Sequence, residues 1–314
     1  IWVAGRENGS SERQCADSVA SCVRAYRDEL LYLADQPLLM RSYNRLDVER
    51  LRETASEKSL RAEIARSARR ARQRTSDRAL PRFTREHRGL RQIVEEPPLI
   101  THVMRSEEEA IGVALDDYLA TLATHWQRVV GGYTIVDIAH KVVGVGSVGL
   151  RAYVALLEGS SPEDVVFLQL KQARRSVLAR YVHGDSAWHA HQGQRVVEYQ
   201  QALQTVSDPL LGWTTVQGRQ FYVRQFRNMK GTIPLDAMDA AALIDYAGVV
   251  GQLLAKGHAR TSGASMIAGY MGRSERVDDA LCVFARRYAD QTEADHALLV
   301  DAVDGGRLPV ERGV

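Results

Sequence analysis

The chain has 314 residues, 45% hydrophobic, 25% charged and 7% aromatic, a balance that excludes disorder, a collagen-like repeat and a disulfide scaffold. It allows one large domain or two of average size. No apolar run reaches the roughly eighteen residues a membrane helix needs, and Ile1–Glu7 lacks the basic start and apolar core of a signal peptide, so a cytoplasmic protein with no membrane partner is expected. The net charge of +2 hides an asymmetry: residues 41–91 hold fifteen Arg and one Lys against seven acids, a local charge of +9.

The first 130 residues read as helical. Ser10 or Ser11 is a plausible N-cap for a helix whose apolar stripe is Cys15, Val19, Cys22, Tyr26 and Leu30. A second long helix is expected over the basic stretch, where Leu60, Ile64, Ala68 and Ala71 share a face and arginines fill the rest. Two readings compete for that charge, a solvated helix face and a nucleic-acid surface. Glu53, Glu57 and Glu63 offer helix-spaced partners, and no aromatic side chain interleaves between Arg45 and Arg82, which favours the solvated face. Cys15, Cys22 and Cys282 are too few and scattered for zinc or disulfides and are expected as small buried side chains in a reducing compartment.

Pro81, Gly89 and Pro97-Pro98 punctuate a loop region in which Arg91–Val94 is a short extended piece. From Glu107 to about Val130, Ile111, Leu115, Leu119, Leu122 and Trp126 return to helical spacing, and Gly131-Gly132 ends it. The sequence then turns β-rich at Tyr133–Val136, Lys141–Val143, Leu150–Leu157 and Val165–Lys171. A helix over 192–204 and two strands, Leu210–Val216 and Gln220–Arg227, follow. After Pro234, Leu243, Tyr246, Val250, Leu253 and Leu254 form a helix to His258, and shorter helices at 275–289 and 291–303 finish the chain. The expected division is a helical part at 1–130, a β-rich lobe at 131–229 and a second helical part at 230–314.

Val143–Gly149 fits G-x-G-x-x-G with Gly144, Gly146 and Gly149 around Ser147. Glycines let a backbone turn tightly and bring its N–H groups to a phosphate. A dinucleotide fold would follow the loop with a helix and place an acid about twenty residues on. Here a strand follows instead, and Phe167–Lys171 holds no acid. Strand, glycine-rich turn, strand and then a lysine on the third strand is the order that covers ATP in kinase-like folds. Lys171 occupies that place, and Glu198 on the next helix is its expected carboxylate partner. His183, Asp185, His189 and His191 are read either as a solvated loop or as metal ligands, with a spacing that matches no standard site. His258 is read as a helix-terminal packing residue, with a general base as the alternative.

The stretches HKVVGVGSVGLRAYVALLEG, VVFLQLKQARRSVL, GQRVVEYQQ, GRQFYVRQFRNMKG, GHARTSG, IAGYMG and RYADQTEADH resemble the bacterial family known as domain of unknown function 2252, which is similar in fold to protein kinases and aminoglycoside phosphotransferases. The resemblance implies an α+β, circularly permuted, kinase-like fold: a small antiparallel sheet lobe with a glycine-rich loop plus a mostly helical lobe. It implies ATP and Mg²⁺ as cofactors, Gly144, Gly146, Ser147 and Gly149 in the phosphate loop, Lys171 on phosphate and Glu198 as its partner. Arg224, Gln225, Lys230, His258 and Arg260 match further family motifs without an assigned role.

Family members carry G-D-x-H-x-x-N-F-G and N-D-F-D segments, the implied catalytic and metal-binding acids, and neither occurs here. His183–His189 places Ala187 where the first motif has its histidine, so no catalytic or metal residue is assigned. The expectation is a chain starting part-way through its domain, catalytically incomplete, with a small-molecule or protein acceptor and the missing segment acting in trans as conceivable partners. The alternative is a non-catalytic nucleotide- or protein-binding module. Nucleic-acid binding through the arginine-rich helix is the least favoured reading.

Overall fold

The computed structural model describes residues 1–44, 47–87, 89–142, 144, 149–181, 189–204, 206–226, 231–261 and 263–310. In chain order these form α1 (Trp2–Glu7), α2 (Glu12–Ala34), α3 (Leu38–Tyr43), α4 (Val48–Thr54), α5 (Lys58–Arg72) and α6 (Ser76–Phe83). Next come β1 (Thr84–His87), β2 (Leu90–Ile93), β3 (Ile100–His102), α7 (Arg105–Leu119), α8 (Thr124–Val130), β4 (Thr134–Lys141), β5 (Ala152–Glu158) and β6 (Val165–Gln172). The last elements are α9 (Gln192–Leu203), β7 (Gly212–Val216), β8 (Arg219–Gln225), α10 (Ala240–Ala259), α11 (Ala264–Met271) and α12 (Arg276–Asp304). The fold is α+β with small antiparallel sheets, and no helix among the described residues is long and apolar enough to cross a membrane.

Two compact units divide the chain. One comprises Ile1–Arg70, Ala202–Thr205 and Gly231–Gly313 and is helical. Ser11 starts α2 with a capping box: its hydroxyl accepts from the Gln14 N–H at 3.3 Å while the Gln14 side chain accepts from the Ser11 N–H at 2.8 Å. Cys15, Val19 and Leu30 on the α2 stripe are buried, and Leu30 packs with Leu33, Ala255, Ala259 and Ala264. Cys22 and Cys282 are only half-buried, which corrects the expectation for two of the three thiols. At Gly251 a Cβ would strike the Cys22 carbonyl, so this glycine permits the close approach of α10 to α2.

The basic stretch is not one helix. Asp47 caps α4 by accepting from the Arg50 N–H at 2.9 Å, and Ala55 leaves the helix in an extended conformation. Asp245 of α10 then takes the N–H groups of Ser56 and Glu57 at 2.7 and 2.8 Å, which fixes the start of α5 from a distant part of the chain. Leu60 and Ile64 are buried against Met238, Ala242 and Leu243, as their spacing predicts. The arginines opposite find local partners: Arg66 and Arg70 pair with Glu63, and Arg61 donates to the Ala55 and Ser56 carbonyls.

The other unit comprises Ala71–Gln201 and Val206–Lys230 and holds both sheets. β1 and β2 form a hairpin, and the larger sheet is antiparallel in the order β3-β4-β5-β6-β8-β7. Strand alternation sends Tyr153, Ala155, Leu157, Leu168, Leu170, Phe221 and Val223 to one face, where Ile111, Leu115 and Tyr118 of α7 cover them. Val154, Leu156, Val165 and Phe167 face the other way and meet Ile93, Ile100, Leu80 and Phe83.

The helix expected over 107–130 is broken at residues 120–123. There Thr121 donates its hydroxyl to the Tyr118 carbonyl at 2.7 Å and accepts from the Trp213 N–H at 3.2 Å, tying the break to β7. Thr134–Val136 and Lys141 belong to one strand, β4, with Tyr133 just outside it, and β3 was not foreseen. The two helices expected after residue 275 are one, α12.

Candidate anion-binding site

Register and alternation together place the site. Lys171 on β6 lies opposite Ala152 on β5 and Tyr222 on β8, and Gln169 lies opposite Arg224. Lys171 and Arg224 are therefore diagonal neighbours on one sheet face, the face that carries Val165 and Phe167 further along β6. Ala152 leaves room beside Lys171 and is the first residue of the strand that emerges from the glycine-rich turn.

Tyr222 stands between the two cations, with Lys171 Nζ and Arg224 Cζ each 6.0 Å from its ring centroid. Both cationic residues are half-buried. Arg224 donates to the Oε1 of buried Gln169 at 3.3 Å, while its Nε is buried without a hydrogen-bond partner. Among the described residues, neither Lys171 nor Arg224 has a carboxylate at ion-pair distance. Two unit charges at diagonal spacing repel by about 2 kcal/mol at an effective dielectric of 20. An anion between them would relieve that repulsion and give the Arg224 Nε an acceptor.

The turn between β4 and β5, of which residues 142, 144 and 149–151 are described, leads into Ala152. Gly144 and Gly149 have φ of 22° and 74°, the left-handed region that glycine adopts without strain. Arg174 donates to the Gly149 carbonyl at 3.4 Å, and Arg195 to the Arg174 carbonyl at 3.1 Å, so the segment just after β6 ties to the end of the turn and helix α9 ties to that segment. Gly146, Ser147 and Lys230, expected in the site, lie outside the described residues, as do His183 and Asp185.

Glu198 is not joined to Lys171. Its carboxylate accepts from His189 Nε2 at 2.6 Å and from Gln194 Nε2 at 2.7 Å, and these bonds hold its carboxyl below the usual range, His189 contributing most. The His189 ring is 8% exposed, and its Nδ1 is buried without a partner. His191 accepts from the Gln194 N–H through Nδ1 at 3.2 Å and faces Thr215 Oγ1 through Nε2 at 3.1 Å. Burial pushes its imidazole below the ordinary histidine value. No group of three or more His, Cys, Asp or Glu among the described residues can hold a metal ion.

The remaining family-matched residues fall elsewhere. Gln225 points to the opposite side of the sheet from Arg224, and Asp208 occupies its amide and its N–H at 2.9 and 2.8 Å. His258 and Arg260 belong to the helical unit. The Tyr26 hydroxyl meets His258 Nδ1 at 2.8 Å with the rings edge to face, and Arg260 donates to the Ser42 carbonyl at 3.1 Å. His258 thus packs against Tyr26 at the end of α10. Tyr222 and Arg174 were missed by sequence reasoning; the period-two spacing of Tyr222 and Arg224 was the available signal.

The pattern of one protein family, described as an uncharacterized protein conserved in bacteria (DUF2252), matches residues 1–302. No curated protein and no solved structure matches the chain.

Proposed function

The chain belongs to the bacterial family DUF2252, and from that premise we propose that its sheet unit is a kinase-like nucleotide lobe that binds the phosphates of ATP on the face shared by Lys171, Tyr222 and Arg224. The observation that carries this reading is the pair of cations that, among the described residues, have no carboxylate at ion-pair distance, with Lys171 opposite Ala152 at the start of the strand that leaves the glycine-rich turn. Strand, turn, strand, lysine strand and carboxylate-bearing helix follow in the order that kinase-like phosphate sites require. Lys171 and Arg224 neutralise phosphate oxygens from the sheet, and the backbone N–H groups of the turn supply donors.

Binding is the part of this function that the described residues support. Among them no group of three or more His, Cys, Asp or Glu can hold a metal ion. Glu198 is engaged by His189 and Gln194, whereas phosphoryl transfer in protein kinases needs the lysine–glutamate pair in place. The nucleotide is thus a ligand that stabilises the lobe.

A thermal-shift titration with ATP, with and without Mg²⁺, tests the reading. A ligand at a hundredfold excess over its Kd stabilises by about 2.7 kcal/mol, so a clear rise in Tm is expected. Lys171→Ala and Arg224→Ala should each remove most of the rise while leaving the unliganded Tm close to that of the parent. No rise, or an equal rise in both variants, would defeat the proposal.

A further inference from the structure

α12 is a single helix of 29 residues, yet it is buried only in its first half. Asp278 and Ala289 are buried, and Cys282 and Ala285 pack with Trp2, Cys15 and Val19. From Asp290 to Asp301 every residue is exposed, including Leu298, Leu299 and Val300. The first half also exposes Leu281, Val283, Phe284 and Tyr288, with the Phe284 and Tyr288 rings stacked at 5.5 Å. A helical segment of about 12–15 residues without tertiary packing is marginal in water. The apolar side chains on this one therefore call for a partner surface.

At 3.6 residues per turn, Phe284, Gln291 and Leu298 are spaced by sevens and lie on one line of the helix, away from Cys282, Ala285 and Ala289. Arg287 and Asp295 flank that line. Charge is divided along the helix: Arg276, Asp278, Asp279, Arg286 and Arg287 precede residue 290, while from residue 290 on the Asp and Glu residues Asp290, Glu293, Asp295, Asp301 and Asp304 stand without a Lys or Arg. Arg6 engages Asp290 and Glu293. Asp295 accepts the Gln291 amide at 2.7 Å, and Arg287 has no ion pair among the described residues.

We infer that this face of α12 pairs antiparallel with the same face of a second copy of the chain, about a two-fold axis at Gln291. In that register Phe284 meets Leu298 of the second copy and Arg287 reaches its Asp295, each contact occurring twice by symmetry. A parallel pairing would set Arg287 against Arg287 and Asp295 against Asp295, so the charge pattern selects the antiparallel one. Two helix faces of this length fall in the small class of interfaces, below about 1,200 Å² in total. The dimer is accordingly reversible and concentration-dependent.

Sedimentation equilibrium of the full chain over a wide concentration range tests the pairing. A monomer–dimer equilibrium is expected, with Phe284→Glu weakening association about tenfold or more, equivalent to 1.4 kcal/mol or more. Arg287→Asp and Asp295→Arg should each weaken it, and the double exchange should restore it. These positions are exposed, and unchanged helix content by circular dichroism confirms folding of each variant. Gln291→Cys provides a second probe, since the two-fold axis predicts an intermolecular crosslink at that position under mild oxidation. A monomer at every concentration, a dimer indifferent to the charge changes, or a dimer that Gln291→Cys fails to crosslink would overturn the inference.

Discussion

Asp278→Ala is expected to destabilise the helical unit by about 3–5 kcal/mol, the cost of leaving one partner of a buried ion pair without the other. Arg27 on α2 and Asp278 in the first turn of α12 are 7% and 5% exposed, and Arg27 Nη1 lies 2.5 Å from Asp278 Oδ2. The same guanidinium also donates to the Ser274 carbonyl at 3.3 Å, just before α12 begins. Removing the carboxylate leaves the Arg27 cation in the packed surface between α2 and α12 with exposed Asp28, 3.1 Å from its Nε, as its remaining ion-pair partner. Replacing both partners with apolar residues of similar volume, Arg27→Met with Asp278→Leu, should recover most of the loss, because such pairs gain little over well-packed apolar contacts. Urea unfolding followed by circular dichroism compares the three proteins. A loss below about 1 kcal/mol for Asp278→Ala, in the range of exposed pairs, would show that the pair is hydrated and that α12 is held by its apolar contacts alone.

Gly193→Ala is expected to destabilise the sheet unit by about 1–3 kcal/mol, the range for overpacking. The sign distinguishes this position from an ordinary helix glycine. In an exposed helix, glycine to alanine gains up to about 1 kcal/mol, but a Cβ at Gly193 would run into the Phe221 carbonyl on β8 and approach His191 Cε1 at 2.8 Å. The first turn of α9 would have to lift from the sheet and carry Gln194, Glu198 and the His191 ring with it. A lowered Tm, with nucleotide stabilisation weakened in parallel, is the expected pair of results. A raised Tm would mean that α9 does not rest on β8 through this glycine.

Local chemistry was legible in the sequence, and long-range pairing was not. The Ser11 cap, the Cys15–Leu30 stripe, the buried Leu60 and Ile64, and the strands carrying Lys171 and Arg224 all follow from spacing and residue type. Three departures have distant causes. Asp245 ends the basic helix early by taking the N–H groups before α5, Thr121 breaks the next helix through its bond to β7, and β3 exists because β4 pairs with it. The fusion of the last two helices has a local cause: Ala289, Asp290 and Gln291 contain no glycine, proline or cap to stop the helix. At the site, the order of turn, lysine and glutamate was visible, but the choice of His189 over Lys171 as partner of Glu198 depends on how the chain returns to α9. The i,i+4 spacing of Gln194 and Glu198 was the one local hint that the carboxylate was engaged.

Hydrogen–deuterium exchange of the full chain, with and without ATP and Mg²⁺, tests the central claim most directly because it reports where a ligand sits. Slower exchange is predicted in peptides covering the glycine-rich turn at 142–151 and the ends of β6 and β8 around Lys171 and Arg224, with no such change in the Lys171→Ala variant. Unchanged exchange at saturating nucleotide, or protection confined to the arginine-rich helix α5, would contradict the account.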